Sequence, residues 1–150
     1  MHIVLHEPEI PGNTGNIARL CVGADVDLHL VGKLGFRIDD KAVKRAGLDY
    51  WPNLRLHLHN DLDQLWASAG DSSRFFYLTT KTDRLYTAVT YQSGDYLVLG
   101  RETSGLPEWL LKANAERCIT IPMPGPVRSL NLSNAASIVL YEALRQSSKW

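Results

Sequence analysis

Apolar residues fall along this chain in short runs, set apart by stretches with helical periodicity. Six runs are rich in Val, Leu, Ile and aromatics: HIVLHEP, VDLHLVG, LRLHLHN, RFFYLTT, DYLVLG and RCITIPM. Their apolar residues are continuous rather than alternating, the pattern of strands covered on both faces. Helical stretches lie between them. TGNIARLCVGA sets Ile17, Leu20, Cys21 and Ala24 on one face, with Thr14 placed to cap it. DDKAVKRAG starts acidic and ends basic before Gly47, as helix-end electrostatics prefers. LDQLWASAG follows the same plan, as does PEWLLKANA with Pro107 in its first turn, and NLSNAASIVLYEALRQ predicts the last helix. Strands that alternate with helices predict an α/β fold, a Rossmann-like parallel sheet with helices on both faces. With 150 residues and no internal repeat, a single domain over 1–150 is expected.

In such sheets ligands bind beyond the carboxyl ends of the strands, so the loops there carry the functional question. Three are chemically unusual. EPEIPGNTGNIAR, residues 7–19, follows a strand and opens a helix. Gly12 and Gly15 permit close backbone approach or positive φ. Their spacing is GxxG, not the GxGxxG of a dinucleotide fold, which argues against a nicotinamide-dependent oxidoreductase. LVLGRETSGLPEWLL, residues 97–111, brings Arg101 and Glu102 to a strand end, where an exposed ion pair between the two neighbours is expected. IPMPGPVRSLNLSN, residues 121–134, is stiffened by Pro122, Pro124 and Pro126, while Gly125 supplies the freedom they deny. Ser129, Asn131, Ser133 and Asn134 then crowd a helix start that one of them suffices to cap. The surplus suggests a preset pocket wall.

Composition narrows the class. Apolar residues make up 45% and charged residues 21%, as in soluble globular proteins, and no window reaches the ~18 apolar residues of a membrane span. HIVLHEP reads as a first strand rather than an export signal. Cys21 and Cys118 belong to no CxxC pattern and read as reduced core thiols, which favours the cytoplasm. Sixteen basic and sixteen acidic residues give zero net charge, which argues against nucleic-acid binding by bulk field. A local basic patch, or one completed by a second subunit, remains open. Lys41, Lys44 and Arg45 have helical spacing and fit either phosphate contacts or a solvated basic helix end. His57 and His59 share a strand face and read as polar strand residues. No cluster along the chain has metal-ligand spacing.

Together, NTGNIAR, LGRETSGLP and IPM…RSLNLSNAASIVLYE resemble the three signature motifs of the SPOUT superfamily of RNA methyltransferases. The likeness extends to DDKAVKRAGLDYW, LTTK and TYQSGDYLVLG and covers essentially the whole chain. Within the superfamily it is similar to the small bacterial tRNA 2′-O-methyltransferases that act on cytidine or uridine at the wobble position. The resemblance implies a deep carboxyl-terminal trefoil knot, S-adenosylmethionine (SAM) as methyl donor with no metal, tRNA as substrate through its anticodon stem-loop, and a homodimer whose active sites combine both subunits. Neither a membrane nor DNA is an implied partner. It places Leu78, Gly100, Ile121, Met123, Ser129 and Leu130 at the cofactor, with Gly100 kept free of a side chain that would strike the ligand. Glu102, Asn131 and Ser133 support these turns. Arg19 matches the functional arginine, and Tyr141 an aromatic used near the RNA site or dimer face. Lys41, Lys44 and Arg45 are then the RNA-binding candidates.

A guanidinium is a poor base. The expected role of Arg19 is therefore to hold a substrate phosphate and stabilise charge developing on the ribose oxygen, while that phosphate or a water takes the proton. A SAM-binding RNA module without turnover, or a methyltransferase of another RNA such as rRNA, stands as the alternative.

Overall fold

A computed structural model describes residues 1–39, 41, 45 and 50–147. In chain order the elements are β1 (His2–His6), α1 (Pro11–Ala24), β2 (Asp27–Val31), β3 (Leu56–His59), α2 (Leu62–Ala69), β4 (Phe75–Leu78), β5 (Tyr96–Leu99), α3 (Glu108–Ala113), β6 (Cys118–Ile119) and α4 (Leu132–Gln146). Lys41 and Arg45 are helical and exposed, while the rest of the helix expected over DDKAVKRAG, Lys44 included, lies mostly outside the described residues.

All six strands are parallel, in the order β3-β2-β1-β5-β4-β6. Strand alternation splits the core in two. Ile3, Leu5, Leu97 and Leu99 face one side, where α1 contributes Ile17 and Cys21 and α4 contributes Ala136, Val139, Leu140 and Ala143. Val4, Tyr96 and Val98 face the other, against Leu62 and Leu65 of α2 and Leu110 and Leu111 of α3. Helices therefore cover both faces, as the apolar runs predict. Cys21 and Cys118 fall in opposite core layers, both buried and free. Burial pushes the Cys21 thiol up to about 12, so it stays protonated and inert.

Three expectations fail locally. β3 is an edge strand with Leu58 58% exposed, so its apolar run is not covered on both faces. Thr14 is not a cap. Helix α1 starts four residues earlier than that cap implies, with Pro11 in its first turn and Ile10 at the cap position, because proline needs no amide partner there. Pro107 sits at the cap position of α3 rather than inside the first turn.

The amino-terminal half of the β1–β3 face carries aromatic and charged residues instead of aliphatic ones. His2 Nδ1 lies 3.0 Å from His29 Nε2, and His29 Nδ1 lies 2.9 Å from His59 Nε2. His57 meets Asp27 at 2.8 Å, and Arg55 holds both Asp27 and Asp25. Burial, then the charge of the chain's amino terminus, lowers His2 to about 4. Burial, then the other imidazoles, lowers His29 to about 3.

Both imidazoles have folded pKa values below the ordinary 6.5, so the unfolded chain binds more protons as pH falls through that range. Stability should therefore decline from about pH 7 towards about pH 4.5, before carboxylates contribute. Urea titrations across this range will show it, and the double variant His2→Gln/His29→Gln will have the flatter profile.

Candidate active site

The carboxyl ends of four adjacent strands, β1, β5, β4 and β6, deliver four loops to one edge of the sheet. The first two are clasped. The Glu102 carboxylate, from the loop after β5, accepts from the Glu9 amide (2.8 Å), the Ile10 amide (3.1 Å) and Asn13 Nδ2 (3.2 Å). It thus supplies the anionic cap that α1 lacks in its own sequence, where amide donors and the helix dipole favour negative charge. The Glu9 carboxylate answers by accepting from the Thr103 amide (3.0 Å) and hydroxyl (2.8 Å), and these bonds hold its pKa below the usual range. Arg101 donates to Glu7, not to its neighbour Glu102. The expected Arg101–Glu102 pair is absent because Glu102 points at the start of α1. Burial works to raise the pKa of Glu7, but the hydrogen bond from Arg101, the charges of His6 and Arg101 and a backbone bond from Lys33 together outweigh it and the net shift is downward.

Gly100 explains the shape of the second loop. A Cβ there would lie 2.1 Å from the Gly105 carbonyl carbon and 2.3 Å from the Leu106 amide nitrogen. The loop closes on itself through Gly105 N–H to Arg101 O (2.9 Å) and Arg101 N–H to Gly105 O (3.2 Å), with Gly105 at φ 70°. So the structure gives Gly100 a reason other than the expected one: the first obstacle to a side chain is the protein's own returning backbone. Gly12 and Gly15, by contrast, lie inside α1 with no positive φ.

After β6 the chain runs from Ile121 to Asn131 without helix or strand. Asn131 caps α4, accepting from the Ser133 amide (2.9 Å) and hydroxyl (2.6 Å). Its Nδ2 donates to Asn13 Oδ1 at 3.0 Å. Asn13 in turn donates to Glu102. One continuous polar chain, Glu102–Asn13–Asn131–Ser133, thus links all three unusual loops.

These loops enclose a cavity of about 550 Å³. Leu78, Gly100, Ile121, Met123, Ser129 and Leu130, the six expected cofactor positions, all line it, with Glu102 and Asn131. Its size lies in the range of cofactor sites, and its aliphatic wall with a polar rim suits a flat base joined to a charged tail. Ser133 acts one step behind, through Asn131. The sequence reading missed Thr79, Thr120 and Ser104, and the rim cations Lys81 and Arg128. A signal existed for two of them: Lys81 closes LTTK, and Arg128 opens RSLNLS.

The two expected catalytic residues are elsewhere. Arg19 is exposed on α1, its guanidinium 4.9 Å from the Tyr50 ring centroid, and does not line the cavity. Tyr141 is 49% exposed on α4, also outside the cavity lining. Lys41 and Arg45 are exposed and likewise outside it.

Fold and site together define a parallel α/β protein with a small-molecule cavity braced by polar contacts between loops. Residues 1–141 match the SpoU rRNA Methylase family, and the chain belongs to it. A relative from Escherichia coli strain K12, the tRNA (cytidine(34)-2'-O)-methyltransferase, is 50% identical over 97% of this chain and 93% of its own length. A solved structure described as giving insight into 2-OH methylation of C/U34 on tRNA superposes with a TM-score of 0.93 at 42% identity, covering 97% of this chain and 94% of the other. An AdoMet-bound rRNA methyltransferase from Sinorhizobium meliloti superposes with a TM-score of 0.85 at 27% identity, over 96% of this chain and 55% of its own.

Gly100→Ala should destabilise the protein by about 2–3 kcal/mol, since backbone cannot yield to the new methyl group. Glu102→Ala should cost about 2 kcal/mol by leaving the Glu9 and Ile10 amides just before α1 and the Asn13 side-chain amide without their acceptor. Urea unfolding of both variants measures these losses.

Proposed function

We propose that this chain is a SAM-dependent methyltransferase that modifies the ribose 2′-OH of nucleotide 34, cytidine or uridine, in the tRNA anticodon loop. The convergence of all six expected cofactor positions on one cavity carries this reading. The activity named for the Escherichia coli relative and the AdoMet-bound relative support it.

When bound, SAM supplies a methyl carbon made electrophilic by its sulfonium. Ile121 and Met123 would flank the adenine and Ser129 and Leu130 the methionine part, with Leu78 and Gly100 completing the wall. Glu102, Asn131 and Ser133 keep the loops set before binding, so less ordering accompanies it. The resemblance also implies the trefoil knot. Supporting it, the connection between β4 and β5 bonds Thr120 through Tyr86 N–H (2.9 Å) and meets Gln146 of α4 through Tyr91 N–H (3.0 Å).

The chain works as a single domain and as a cytoplasmic homodimer. Arg19 stands outside its own cavity, which fits a role at the partner's. There it binds the substrate phosphate and stabilises charge on the attacking oxygen, while the phosphate or a water takes the proton. Tyr141, exposed on α4, lies at that shared face or beside the RNA. Lys41, Lys44 and Arg45, with Lys81 and Arg128 at the rim, bind tRNA phosphates.

Incubation with tritiated SAM and tRNA should transfer label, and nucleoside mass spectrometry should place it at position 34. A SAM-binding module without turnover would bind donor and transfer nothing. Arg19→Lys should lose about tenfold or more in kcat with SAM affinity intact, since an ammonium cannot form the bidentate phosphate contact. Mixing Arg19→Ala with Gly100→Ala chains should restore activity through hybrid dimers if sites are shared between subunits.

A further inference from the structure

The amino-terminal edge of the sheet, remote from the cavity, holds groups that methyl transfer does not use. His2 on β1 and Asp27 and His29 on β2 each offer one ligand atom, and these three atoms all lie within 4.8 Å of one another. We propose that His2, Asp27 and His29 bind a borderline divalent transition ion, with Zn(II) the representative.

The chemistry suits the ion. Two imidazole nitrogens and a carboxylate oxygen are common zinc donors, and three protein ligands leave a fourth position for water. Two nitrogens bound to one tetrahedral zinc at about 2.0–2.1 Å stand roughly 3.4 Å apart. His2 Nδ1 and His29 Nε2 are 3.0 Å apart, so they need to part by only a few tenths of an ångström. The two nitrogens already face one another, so a modest turn of each ring brings both lone pairs onto an ion beside the line between them.

A metal must displace the proton between these nitrogens, and the cluster gives it a place to go. In the tautomer that binding requires, His29 Nδ1–H donates to His59 Nε2, the two nitrogens lying 2.9 Å apart. That leaves His29 Nε2 with a lone pair, bridged only by the His2 Nδ1–H. When the ion binds, this proton moves to His2 Nε2, and no net proton need leave the protein. His59 then holds the His29 ring from behind, the outer contact that metal-bound imidazoles ordinarily have. Arg55 Nε (2.6 Å) and His57 Nε2 (2.8 Å) hold the Asp27 carboxylate in the same way, and its other lone pairs are left for the ion.

Access is open. The Asp27 side chain is 20% exposed and that of His57 44%, so water reaches the cluster although His29 is buried. The ion would join β1 to β2 at the end of the sheet opposite the loops of the cavity. It is independent of the proposed methyl transfer.

The test uses the full chain with its native amino terminus, stripped with a chelator, and titrated calorimetrically with Zn(II) at pH 7. One equivalent should bind per chain and raise the melting temperature. His2→Gln and Asp27→Asn should each weaken binding by at least about tenfold. Long-range proton–nitrogen NMR of the wild type adds a readout that depends on no variant: zinc should move the His2 proton from Nδ1 to Nε2 and shift His29 Nε2. Wild type that shows no saturable binding up to about 1 mM overturns the proposal, as do ligand variants with unchanged affinity or His2 and His29 resonances unmoved at saturation.

Discussion

The carboxylate of Glu102 is the contact on which the site depends. Two backbone amides just before α1 and the Asn13 side chain converge on it from more than eighty residues away in sequence. Helix α1 begins on a proline with no capping side chain of its own, so its amide donors and dipole need an anion from elsewhere. The loop after β5 provides one, and thereby locks its own position relative to β1. Glu9–Thr103 and Glu7–Arg101 repeat the exchange on either side. Each loop is built around a carboxylate that the other satisfies. Either alone would leave orphaned donors or solvated charge.

From this clasp the third loop inherits its place. Asn13 donates to Glu102 while accepting from Asn131, and Asn131 caps α4. A rigid proline-containing segment is thus pinned at its far end to the start of the first helix. Its near end is pinned by the pairing of β6 with β4 and of Thr120 with Leu85. The cavity is the space left between segments that cannot approach further. Gly100 shows the tightness of the fit, since backbone occupies the volume its side chain would need.

The two ends of the sheet have divided the chemistry. At the carboxyl ends polar groups are satisfied between loops, leaving a cavity with a cationic rim of Lys81, Arg101 and Arg128. At the amino ends, imidazoles and acids fill positions where an aliphatic layer would be ordinary. Tyr96 stacks on His2 with ring centroids 4.1 Å apart and interplanar angle 6°, so this layer is still well packed.

Periodicity alone determined the α/β class, the six strand positions and four of the helices, because apolar runs and helical faces are local properties. The resemblance named six expected cofactor positions, and all six line the one cavity. Other assignments needed the tertiary structure. Whether Arg101 pairs with Glu102 or Glu7, and what caps α1, depend on which loops the parallel sheet sets side by side. The exposure of Leu58 depends on β3 being an edge, which no strand announces in its own residues. Arg19 lies outside the cavity because helix α1 carries it away from the strand ends over six residues, about 9 Å of rise from Asn13. The grouping of His2, Asp27 and His29 was equally illegible, because residues so far apart in sequence meet only through the register of β1 on β2. Local pattern fixes elements and turns; charge pairing is settled by neighbours that only the folded sheet creates.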